Sequence, residues 1–249
     1  MKTMISHNGM AGFLVALTII LSPSLSTHAA SPPFNAARHR GYPASPVGAS
    51  EAERTAFFRK LVTEKTTGFG EPIGDRAFWT RIGANPALGG IVTAGEKALA
   101  EKLPELPDVL YLDYTKTGNR DRYQRPRNVR RSILSDLVLA ECVEGRGRFL
   151  PRIEETVRAI CAEKTWVLPA HDRELTNFKG TLITVDLGST MTALSLSQTD
   201  WLLSGRLSPG TRSLIRDRVG HFIFTPFMAM HRGEREPHGW MTARTNNWT

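Results

Sequence analysis

Along residues 120–225 apolar side chains recur once per helical turn in back-to-back pairs, with polar side chains between them. A period near 3.6 marks amphipathic helices, because positions three and four apart share one face. Arg122 to Glu144 therefore reads as one long helix, with Ile133, Leu137 and Ala140 running beside Leu134, Val138 and Glu141. The stretch EGRGR makes a tight turn, and Phe149 to Glu163 returns as a second helix with Ile153, Val157 and Ile160 on one side. A long loop, Lys164 to Thr184, separates this pair from the next. Asp186 to Ser204 carries Leu187, Met191, Leu194, Trp201 and Leu202. Ser208 then suits an N-cap and Pro209 the first helical position. Leu214, Val219, Phe222 and Ile223 continue the stripe to Pro226.

The earlier chain is less regular. Ser50 opens a helix with a capping box, S-E-A-E: its hydroxyl can accept from the Glu53 amide while the Glu53 carboxylate reaches back. Phe57, Phe58, Leu61 and Val62 give that helix an apolar face up to Glu64. Glycines and prolines break residues 66–93, where Phe78, Trp79 and Ile82 suggest a short packed turn. Ala94 to Leu103 reads as a helix ended by Pro104 and Pro107. Helix, short turn, helix, longer loop, and the same again describes an array of antiparallel α-hairpins. Short alternating strands are missing and no exact repeat is visible, so the expected class is all-α.

The first residues add a destination. Lys2 supplies a positive start, Met10 to Leu21 an apolar core, and Ser22 to Ala30 a small-residue tail with a cut expected after Ala29. That core is about a dozen residues, short of the roughly twenty a spanning helix needs, so residues 1–29 read as a secretory signal peptide rather than an anchor. The tail holds no cysteine, which argues against a lipid anchor. Residues 30–49, rich in Pro, Ala and Ser, form an irregular lead-in to a helical domain over 50–249. No second long apolar segment follows, and the mature chain is expected to be soluble, periplasmic or secreted, with no membrane partner after signal cleavage.

Charge changes the picture only in part. The chain carries +8, and removing residues 1–29, whose one charged group is Lys2, leaves 31 minus 24, or +7. A basic balance outside the cell favours acidic partners, and general solubility explains it equally well. Six arginines lie between Arg120 and Arg131; they suit either bidentate anion binding or a solvated helix face. Cys142 and Cys161 can pair in an oxidising compartment or remain as buried free thiols on helix stripes.

Four stretches together carry a resemblance: AECVEGRGRFLPRIEETVRAICAEKTWVLPAHD at 140–172, VDLGSTMTALSLSQTDWLLSGRLS at 185–208, RVGHFIFTPF at 218–227, and WMTARTNNW at 240–248. In order and spacing they resemble the helical domain of heparinase II/III-like polysaccharide lyases, over residues 50–249. The resemblance implies an incomplete α/α-toroid, here truncated before the rest of the toroid and a C-terminal β-sandwich. It also implies cleavage of uronate-containing glycans by β-elimination. That reaction needs a group that neutralises the uronate carboxylate, a base for the C5 proton and an acid for the leaving oxygen.

Asn246 and Asn247 are the candidates for carboxylate neutralisation, since neutral amides donate hydrogen bonds without a competing negative charge. A turn before another helix is the plain alternative, and Trp248 stands where the family pattern often has His. His171 and Asp172, in the loop after Trp166, are candidate substrate-binding residues, with Asp172 orienting the imidazole; equally, such a pair can tie a loop down. Trp240 suits stacking on a sugar ring, whereas core packing suits Trp166 better. His221, His231 and His238 form no metal pattern, and neither G-x-S-x-G nor a phosphate-cradling glycine loop occurs, so no cofactor and no metal are expected. Tyr42, Tyr111, Tyr114 and Tyr123 all precede the motif region, and by resemblance the proton-abstracting tyrosine would lie beyond Thr249. The expected partner is an acidic polysaccharide or oligosaccharide, with no nucleic acid. Two other readings stay open: a non-catalytic helical glycan-binding or envelope protein, and a toroid glycoside hydrolase using acids such as Asp172 and Glu174.

Overall fold

The longest helix forms where the apolar pattern is densest, and the rest of the fold is arranged around it. The computed structural model describes residues 70–234 continuously, and before them Ser50, Ala52, Glu53, Thr55, Ala56 and Arg59. The expected signal peptide and lead-in, the apolar face expected at Phe57 to Val62, and Trp240, Asn246 and Asn247 lie outside the described residues. At Ser50 the capping box is formed. The Ser50 N–H donates to Glu53 Oε2 at 2.8 Å and the Glu53 N–H to Ser50 Oγ at 3.3 Å.

Among the described residues the regular structure is helical throughout, without a strand. The helices are α1 (Arg76–Ala84), α2 (Ile91–Ala100), α3 (Asp108–Thr117), α4 (Asp121–Glu144), α5 (Leu150–Cys161), α6 (Leu187–Leu203), α7 (Pro209–Val219) and α8 (Thr225–His231). Ile133, Leu134, Leu137, Val138, Leu139 and Ala140 of α4 are all buried, more sides than one amphipathic stripe would cover. The reason is position: α4 packs against α1, α2, α3, α5 and α6. At its end Gly145 takes a left-handed φ of +73° and donates to the Glu141 carbonyl, the conformation that favours glycine at a helix stop.

α5 then returns with Ile153, Val157 and Ile160 buried. α6 begins at a capping box in which the Asp186 carboxylate accepts from the Ser189 N–H at 2.7 Å and Ser189 Oγ accepts from the Asp186 N–H. α7 starts as expected, with the Ser208 hydroxyl accepting from the Thr211 N–H and Pro209 at the helix start. The first helices of the two hairpins, α4 and α6, lie side by side, and so do the second, α5 and α7.

Three features differ from the expectation. Phe78, Trp79 and Ile82 lie on the full helix α1, whose N-cap Asp75 accepts from the Phe78 N–H and whose Trp79 is completely buried. α3 was not foreseen: its apolar residues are weakly patterned, although Pro107 ahead of it and Gly118 (φ +67°) behind it are start and stop signals. The stripe also runs past Pro226. A π-turn over Gly220–Phe224, with the Thr225 N–H donating to the Gly220 carbonyl, joins α7 to α8. Proline lacks the N–H an α-helix needs at that point and its ring crowds the carbonyl four residues back, so the wider turn accommodates it. Cys142 and Cys161 are buried free thiols, which settles their two readings for the second. Burial pushes both thiols up, Cys161 to about 12.

Candidate functional site

The loop between the hairpins, residues 164–186, is fixed by three side chains. Asp172 is 2% exposed. Its carboxylate accepts from the Tyr111 hydroxyl at 3.0 Å, the Asn177 N–H at 3.0 Å and the Phe178 N–H at 2.9 Å. Asn177 Oδ1 in turn accepts from the Thr184 N–H and hydroxyl at 2.7 and 2.9 Å. Asp186 completes the set. Its Oδ1 caps α6, and its Oδ2 accepts from the Leu168 N–H at 3.0 Å and lies 2.7 Å from His171 Nδ1. Burial alone would push the Asp186 carboxyl up, but the bonds from His171, Leu168 and Ser189 outweigh it and hold it below the usual range.

The imidazole is therefore oriented by Asp186 and not by its neighbour Asp172, which corrects the expected pairing. Chain adjacency misleads here because the short helical turn Pro169–His171 sends the two side chains to different partners. Asp172 ties the loop to α3, the plainer of its two readings. The His171 side chain is 23% exposed, at the loop surface. A carboxylate on Nδ1 fixes ring tautomer and direction, the arrangement that lets a histidine hold or move a proton at a defined place. Asp186 was read from the sequence only as a helix start; D-x-x-S announces the cap, while nothing in the sequence links it to a histidine in another turn.

Beside this loop lies a cleft of about 280 Å³, counting its open mouth, bounded by Asp108, Tyr111, Tyr123, Glu163, Lys164 and Phe178 among others. Lys164 pairs with Asp108 at the rim and its ammonium sits 4.7 Å from the Phe178 ring centre. Tyr111 stacks on Phe178 and meets Tyr123 edge-on. Burial and the neighbouring Asp172 push the Tyr111 hydroxyl far above its ordinary value; burial, then Glu163, push Tyr123 up to about 12.

The six arginines divide. Arg122 and Arg125 form exposed ion pairs with Asp113 and Asp121. Arg127, Arg130 and Arg131 turn inward, so a wholly solvated face is corrected for half the run. Arg131 grips Glu163 with both terminal nitrogens, one at 2.6 Å. Arg130 donates to the carbonyls of Pro104 and Ala159, and Arg127 to the Gly188 carbonyl and the Thr192 hydroxyl, both at 2.8 Å. Burial, then the charge of Arg131, pull the Arg127 guanidinium down to about 10.

Trp166 belongs to the core: it is fully buried, donates to the Ile160 carbonyl at 3.1 Å and packs on Phe222. Among the described residues no three His, Cys, Asp or Glu side chains gather as a metal site, and no helix is long and apolar enough to cross a membrane. No protein-family model matches the chain, and no curated protein matches it.

Proposed function

We propose that this chain is the helical portion of an exported lyase that cleaves uronate-containing glycans by β-elimination, with His171 as a proton-handling residue at the substrate face. The carrying observation is the His171–Asp186 pair: a surface-reaching imidazole locked by a part-buried carboxylate on a loop that is itself pinned by Asp172 and Asn177. In the proposed reaction a base takes the C5 proton, the C4–O bond breaks as the C4–C5 double bond forms, and the leaving oxygen takes up a proton. Asn246 or Asn247 would neutralise the carboxylate and Trp240 would stack on the sugar. The side-by-side packing of α4 with α6 and of α5 with α7 is compatible with successive hairpins of an α/α-toroid.

One observation favours a second reading, glycan binding without chemistry. Burial pushes the Tyr111 and Tyr123 hydroxyls up, so neither stands in for the proton-abstracting tyrosine that the resemblance puts beyond Thr249. The hydrolase reading loses support, because Asp172 is buried and engaged on both oxygens.

Incubation of the full-length gene product with uronate polysaccharides tests these readings. The lyase produces the absorbance of an unsaturated uronate, and His171→Ala lowers its rate by about 10²-fold or more, the usual worth of a general acid or base. New reducing ends without that chromophore would mean hydrolysis. Glycan binding with neither product would leave the non-catalytic reading.

A further inference from the structure

The end of the described chain carries an apolar stripe with a turn aimed at it. Phe224, Phe227 and Met228 are 61%, 37% and 37% exposed. They follow the i, i+3, i+4 spacing that places side chains on one helical face. Large apolar side chains grouped in this way mark a surface meant to be covered.

The helix then stops in a defined way. Gly233 takes a left-handed φ of +74°, the Glu234 N–H donates to the Ala229 carbonyl at 2.9 Å, and the Gly233 N–H donates to the Met230 carbonyl at 3.1 Å. This is a Schellman turn, in which the residue after the left-handed glycine comes back beside the helix positions three and four from its end. Here those positions are Ala229 and Met228, so the chain leaves α8 at one end of the stripe. The residue placed there, Glu234, is charged and cannot cover the stripe. The first large apolar residues that follow are Trp240 and Met241, with Trp248 further on.

Reach is ample. Six residues extended at about 3.3 Å each span roughly 20 Å. Four residues of helix separate Met228 from Phe224, about 6 Å. We infer that the stripe is the docking face for the chain's own segment 235–249, with the Trp240–Met241 pair as its apolar anchor. A second copy of the chain is the competing occupant. The inference gives Trp240 to packing in place of the sugar stacking proposed above; it is otherwise independent of the lyase activity and would hold for a binding protein equally.

The test uses the full chain and a Trp240→Phe variant, whose difference isolates the Trp240 emission from that of the other tryptophans. The expected Trp240 signal is blue-shifted and shielded from acrylamide. In Phe224→Ser/Phe227→Ser it shifts to the red and is quenched several-fold more, while far-UV circular dichroism stays unchanged because both phenylalanines are partly or largely exposed. Free quenching of Trp240 in the otherwise unaltered chain overturns the inference, and so does a Trp240 signal indifferent to the double substitution. Sedimentation covers the rival: a dimer that the double substitution splits, with Trp240 unmoved, assigns the stripe to a second copy.

Discussion

Asp186 is the residue on which the candidate site turns, because one carboxylate both starts α6 and aims His171. Its folded-state value lies below the unfolded value of about 3.9. As the pH falls, the unfolded chain takes up the proton first. The stabilisation is complete above about pH 5 and is lost as the pH drops through the folded value. Asp186→Asn should therefore flatten the acid limb of a stability–pH curve measured by urea unfolding; an unchanged limb would mean that the pair contributes nothing to folding. The candidate site was legible only in part. His171 stood out as a loop histidine after a tryptophan, and Asp172 drew attention by adjacency. Their true partners, Asp186 and Tyr111, are set by the path of the loop and by a helix with little amphipathic pattern, and a linear reading carries neither.

At the scale of elements, the stretches with strong periodicity were readable. α4 and α5, joined through EGRGR, and α6 and α7 through Ser208-Pro209, follow from apolar spacing and cap chemistry. α3 and the π-turn escaped because neither is written in periodicity: α3 is marked mainly by its ends, and the π-turn answers a single proline. Close packing between elements is equally silent in sequence. α2 approaches α4 so tightly that a Cβ on Gly95 would lie 2.2 Å from the Ala140 Cβ. Gly95→Ala should thus cost about 1–3 kcal/mol through overpacking, read as a fall in the urea midpoint. Ala140→Gly should recover part of that loss in the double variant, since the two positions touch. Additive effects would show that the helices part easily.

For the whole molecule, the buried charges of α4 decide how the parts are joined. Glu163 binds Arg131 and Arg130, and removing its charge leaves two guanidiniums in or beside the core with one carboxylate fewer. Glu163→Gln should destabilise by about 3–5 kcal/mol, the usual result of breaking a buried pair from one side. Arg127→Met should cost much less, because the Gly188 carbonyl keeps the Thr192 hydroxyl as a donor at 2.9 Å. Denaturant unfolding of the two variants compares them directly, and the reverse order would refute this account of the network. Two of the inward arginines, Arg130 and Arg127, also end on carbonyls of three separate segments, at Pro104, Ala159 and Gly188. A helix moored on three sides cannot slip by even one residue, about 1.5 Å along its axis, without casting off every line together. α4 is thus a mast, and whatever rearranges in this protein must do so around it.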